Sequence, residues 1–166
     1  MPVNLKHRPP FALVLLSALS AYAAESAPVA HAEQAVAPVV DTQALKNLGA
    51  SWHKENPYRG DAAAVEVGRQ AFIQACQRCH GPDALGKGPG PNLRRLSAYC
   101  NRIADTSMQR DCFVDNDAYF VKSVLKGKTR VGVVHMPPWE GMLSQEVVWA
   151  LKAYVDSPHG DVQVQR

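Results

Sequence analysis

The chain has 166 residues, of which 46% are hydrophobic, with 18 Lys and Arg against 15 Asp and Glu. That length accommodates one domain of ordinary size. A formal charge of +3 gives no global basic signal for nucleic acid or a membrane surface, and Lys6 and Arg8 belong to a segment expected to be removed.

Lys6, His7 and Arg8 form a basic n-region, and residues 11–21 are an apolar run broken only by serines. Ala21-Tyr22-Ala23 then supplies the small residues of an A-x-A cleavage site, so residues 1–23 read as a signal peptide and the mature chain starts near Ala24. The run is too short to span a bilayer comfortably and nothing later in the chain is long or apolar enough, so an exported, periplasmic protein without stable membrane insertion is expected. Residues 24–55, Ala-, Pro- and Val-rich in their first half, read as a flexible leader with at most a weak helical turn over 42–48. The folded domain is expected over 56–158 and a tail over 159–166, with no internal repeat, and a monomer is expected.

Three helices are predicted, and no convincing strand. The first covers residues 61–76, with Asp61 as N-cap and Val65, Gly68, Phe72 and Ala75 recurring at three- and four-residue spacing. It runs directly into Cys76-Gln77-Arg78-Cys79-His80. Two thiols at this spacing form thioethers with both vinyl groups of one haem, and the histidine behind them is placed to ligate the iron, so the motif reads as covalent attachment of one haem c. A redox dithiol would need a βαβ setting that the flanking helical pattern does not offer. A zinc site would need two further ligands at finger-like spacing, and Cys100 and Cys112 do not supply it. Those two cysteines are an even leftover pair in an oxidising compartment, and a disulfide closing a short polar loop is expected.

The second helix is predicted over 117–126, capped by Asn116 or Asp117 and stopped by Gly127, and the third over 144–156, capped by Ser144. The β-branched cluster at 131–134 is interrupted by glycine and is not read as a strand. Between these helices lies Val134-His135-Met136-Pro137-Pro138-Trp139, where two prolines forbid helix and stiffen a loop able to present one side chain to the iron. Met136 is the expected second axial ligand, because a thioether opposite histidine raises the potential and suits an electron carrier. His135 is its rival, and an open iron, as a peroxidase or gas-binding protein needs, is the alternative if Met136 does not ligate. Lys122, Lys126, Lys128 and Arg130 form a basic run that either steers an acidic partner or is a solvated face. Arg94, Arg95 and Trp139 are weaker candidates for a haem propionate. The expected class is all-α.

Cys76 to Gly81, then Gly90-Pro91-Asn92-Leu93, then Met136-Pro137-Pro138-Trp139 and an amphipathic C-terminal helix resemble class I cytochromes c over residues 61–155. The resemblance implies the cytochrome c fold, with the first and last helices crossing at Gly68 and Phe72 against Leu151 and Tyr154. It also implies that the Pro91 carbonyl accepts the Nδ1 proton of His80. Asn56-Pro57-Tyr58-Arg59-Gly60, the Cys100/Cys112 pair, Asp117-Ala118-Tyr119-Phe120 and the stretch 136–141 resemble one subgroup more closely. Its members are soluble periplasmic cytochromes that accept electrons from PQQ-dependent (quinoprotein) alcohol dehydrogenases. What that implies is a non-enzymatic one-electron carrier with such a dehydrogenase as donor and a terminal oxidase or another cytochrome as acceptor. Other periplasmic donors are the alternative.

Overall fold

The computed structural model describes residues 35–158; the expected signal peptide, residues 24–34 of the leader and the tail lie outside the described residues. Helix α1 (Ala62–Ala75) starts where Asp61 accepts the backbone N–H groups of Ala63 and Ala64, satisfying donors that have no partner within the helix. It continues into the single turn α2 (Gln77–His80) and three short 3-10 turns at Pro82–Ala84, Leu93–Arg95 and Cys100–Arg102. Helix α3 (Thr106–Lys126) follows, then a hairpin of β1 (Lys128–Arg130) and β2 (Val133–Met136), and finally α4 (Gln145–Asp156). Among the described residues the fold is thus three main helices and one small two-stranded sheet.

The α1–α4 crossing organises the core. A Cβ on Gly68 would lie 2.0 Å from the Ala150 carbonyl oxygen, so only glycine allows the two backbones to approach this closely. One turn on, Phe72 and Tyr154 stack obliquely, with ring centroids 5.3 Å apart. The expected crossing is therefore present, with Ala150 rather than Leu151 facing the glycine.

Three expectations are corrected. The second helix begins at Thr106, not Asp117: Asp105 caps it by accepting the Met108 N–H at 2.9 Å. Its first three turns bury few apolar groups and so carry no clear helical stripe. They are held instead by the Cys100–Cys112 disulfide, an Arg110–Glu55 ion pair and the cap. The expected disulfide exists, but much of the loop that it was expected to close is helix.

The hairpin is the second correction. Arg130 pairs with Val133 and Thr129 with Val134 across a Val131-Gly132 turn in which both residues have positive φ, +49° and +76°. That is the backbone of a two-residue hairpin turn, which matches strand twist and usually takes Asn-Gly or Asp-Gly. A β-branched valine there costs of order 1–3 kcal/mol, and the glycine that interrupts the cluster is part of the turn itself.

The third correction concerns the leader, whose residues 35–55 are packed. Leu45 and Leu48 are buried in one cluster with Trp149, Ala150 and Ala153, and the Gln74 side-chain amide accepts from the Val39 N–H and donates to the Val39 carbonyl. The Leu48 N–H donates to Glu146 at 3.1 Å and the His53 N–H to Gln145 at 2.8 Å. With α1, α3 and this strap all packed on it, α4 is buried almost all round, from Val147 to Val155.

Glu146 makes the strap sensitive to acid. Burial alone would raise its pKa, but hydrogen bonds from its own N–H, from Leu48 and from Ser144 outweigh that and hold it below the ordinary 4.5. Its charged form is thus favoured by folding. The stabilisation is full above the unfolded value and lost as the pH falls through the lower folded one. Amide protection at Leu48 is expected to drop between about pH 6 and about pH 3, and to be low and flat in E146Q. Equal protection at both ends of that range in the wild type would show that the strap does not depend on this carboxylate.

Candidate haem site

Cys76 ends α1 and Cys79 and His80 lie on the turn that follows, because α2 resumes helical geometry immediately after Cys76. The His80 ring is buried, with Nδ1 3.0 Å from the Pro91 carbonyl oxygen. A carbonyl only accepts, so Nδ1 carries the proton and Nε2 is left with its lone pair for a metal. The ring is also clamped sterically: a Cβ on Gly90 would sit 2.8 Å from Nδ1. The 88–91 segment thus fixes both tautomer and orientation of the imidazole.

The two thiols are not paired with each other. Burial, and then Cys79, pushes the Cys76 thiol up to about 12, which keeps it neutral and ill-suited to the thiolate exchange of a redox dithiol. Among the described residues no three His, Cys, Asp or Glu side chains converge as a bare metal site would require. Two thiols and one Nε2 lone pair within a single turn fit covalent haem c as a donor set.

Met136 closes β2, half-buried against the same apolar cluster that Cys76, Leu93 and Leu96 border. His135, like Val133 and Val134 before it, is exposed; of the four residues of β2 Met136 alone is partly buried. Arg94 lies elsewhere than expected for a propionate partner. Its guanidinium is buried and donates to the carbonyls of Tyr154, Val155 and Ser157 at the end of α4, stacked over the Tyr154 ring. Trp139 is buried in the core cluster, and its backbone N–H donates to the Val124 carbonyl at 3.1 Å. Lys126 of the basic run pairs with Glu140 at 2.6 Å, and Lys128 sits over the Tyr119 ring.

Sequence reading missed a buried ionic network. Lys152 and Asp117 are both fully buried, 3.3 Å apart. Lys152 also donates to Asp156 and Ser97, while Arg59 reaches Asp117 at 2.6 Å and Asp156 at 2.9 Å. The Asn56 N–H donates to Asp117 at 2.7 Å. Asn56-Pro57-Tyr58-Arg59 and Asp117-Ala118-Tyr119-Phe120, remote in sequence, meet here. A lysine inside an apolar helix was the one available signal, since buried charge requires partners.

Residues 63–155 match the family model described as cytochrome C oxidase, cbb3-type, subunit III. The chain is also 37% identical over 126 residues to cytochrome c550 of Pseudomonas aeruginosa, covering 74% of this chain and 77% of that protein. The chain belongs to the class I cytochromes c. The cytochrome carries one covalently bound haem c and is an electron carrier. Among solved structures it is similar to cytochrome CL from the marine methylotrophic bacterium Methylophaga aminisulfidivorans MPT, with a TM-score of 0.45 and 23% identity, over 71% of this chain and 73% of that one. No helix among the cytochrome's described residues is long and apolar enough to cross a membrane.

Proposed function

We propose that this cytochrome is an exported, periplasmic shuttle that takes single electrons from a quinoprotein alcohol dehydrogenase and passes them towards a terminal oxidase. In this reading Cys76 and Cys79 would form the thioethers, and the His80 imidazole and the Met136 thioether would hold the iron. The supporting observation is the His80 ring, clamped by Gly90 and with Nδ1 on the Pro91 carbonyl, on the turn that carries both thiols. Haem c bound there supplies a one-electron ferric–ferrous couple. The chain's part is to hold two ligands still: Pro91 orients His80, and the hairpin with Pro137 and Pro138 restrains Met136. With His80 and Met136 both holding the iron, no position would be open to a substrate, and the cytochrome would act as a carrier rather than an enzyme. The dehydrogenase as donor rests on the resemblance of the stretches at 56–60, 117–120 and 136–141.

Carbon monoxide added to the reduced protein is expected to leave its spectrum unchanged. Stopped-flow mixing with a substrate-reduced quinoprotein alcohol dehydrogenase is expected to reduce it. No reduction at either low or high salt would withdraw the dehydrogenase as donor.

A further inference from the structure

The hairpin that carries Met136 also presents an apolar tip to solvent. Val131 is fully exposed, Val133 is 58% exposed and Val134 42%. Val131 also holds a positive φ that asparagine or glycine adopts more readily. Neither packing nor backbone preference within the described fold accounts for a valine at this place.

Charge along this stretch of the chain has one sign. Residues 118–139 contain Lys122, Lys126, Lys128 and Arg130 and no Asp or Glu. Glu140 occupies Lys126, but among the described residues no carboxylate pairs with Lys122, Lys128 or Arg130. Arg130 and Val133 are direct cross-strand partners and so stand side by side on one face. From Val133 to Met136 is three residues of strand, about 10 Å.

We propose that the hairpin Lys128–Met136 is the surface on which the electron-donating protein docks, Val131 and Val133 entering an apolar recess whose acidic rim meets Lys128 and Arg130. The proposal rests on the reading that a soluble dehydrogenase reduces this cytochrome, and names the surface it uses. A few apolar anchors suffice in a protein recess, whereas this valine tip offers little area to hold a lipid surface. The cations govern encounter and its salt dependence, and the valines govern residence.

The test compares haem-loaded wild type, V131N/V133S and K128E/R130E in stopped-flow reduction by the substrate-reduced dehydrogenase at two ionic strengths. Asparagine suits the positive φ at 131, so V131N/V133S is expected to keep its thermal midpoint. Its half-saturating concentration should rise about tenfold with the salt slope retained. K128E/R130E should lose the salt slope. Adsorption to gold bearing mixed methyl- and carboxylate-terminated thiols, read by voltammetry, repeats the comparison without the dehydrogenase. Where the dehydrogenase reduces the wild type, an unchanged half-saturating concentration in V131N/V133S overturns the proposal. Where it does not, the donor reading fails and the electrode decides: weaker adsorption of both variants supports an acidic docking partner, and unchanged adsorption of V131N/V133S overturns it. Tip-dependent binding to vesicles of equal phosphatidylglycerol and phosphatidylcholine would assign the hairpin to a lipid surface and likewise overturn it.

Discussion

M136A is expected to lose the ferric methionine–iron charge-transfer band and to bind carbon monoxide when reduced, while the fold survives. Met136 is only half-buried at the edge of its cluster, so truncation forfeits less packing than the 2–5 kcal/mol typical of a fully buried methionine. The loss at the iron is larger. A thioether stabilises the reduced state, and without it the potential should fall by at least about 0.1 V, within the roughly 0.8 V over which axial ligation tunes haem proteins. M136H separates ligation from packing: it should close the site again, exclude carbon monoxide and keep the lowered potential. A band that persists in M136A would place the sulfur ligand at another methionine and remove the hairpin from the iron.

G68A is expected to destabilise the protein by about 2–3 kcal/mol, against the gain of about 1 kcal/mol that alanine brings to an exposed helix interior. The added carbon would lie 2.0 Å from the Ala150 carbonyl oxygen, 2.5 Å from its carbon and 2.9 Å from the Tyr154 Cβ. Two of these are backbone atoms, so no side-chain rotation relieves the clash and α1 and α4 must separate. The separation would also disturb Phe72 and Tyr154 one turn along. The expected readout is a lower urea midpoint with the slope unchanged. An equal or higher midpoint would mean that the crossing slides freely and that Gly68 does not set its distance.

The features read correctly before folding are those set by near neighbours. A C-x-x-C-H run signals haem c from five consecutive residues, and the family carries that group; Asp61 and Ser144 cap helices through N–H groups two or three residues on. The order of motifs from Cys76 to the last helix carried the family and with it the fold. The dehydrogenase subgroup rests on stretches, at 56–60 and 117–120, that the fold joins in a buried network. Those residues therefore have a structural role in this chain's own interior.

What local pattern did not reveal depends on contacts far along the chain. Residues 35–55 have the composition of a leader, yet Leu45 and Leu48 become core because they join Ala64 and Val67 of α1 in one cluster with Trp149, Ala150 and Ala153 of α4. The early turns of α3 show no buried stripe because a disulfide and an ion pair hold them. Arg94 looks like surface charge until the α4 carbonyls approach it. Propensity, capping and motif spacing act over a few residues and are written in the chain. Which faces are covered, and which charges find partners, is decided only when distant segments exclude water from one another.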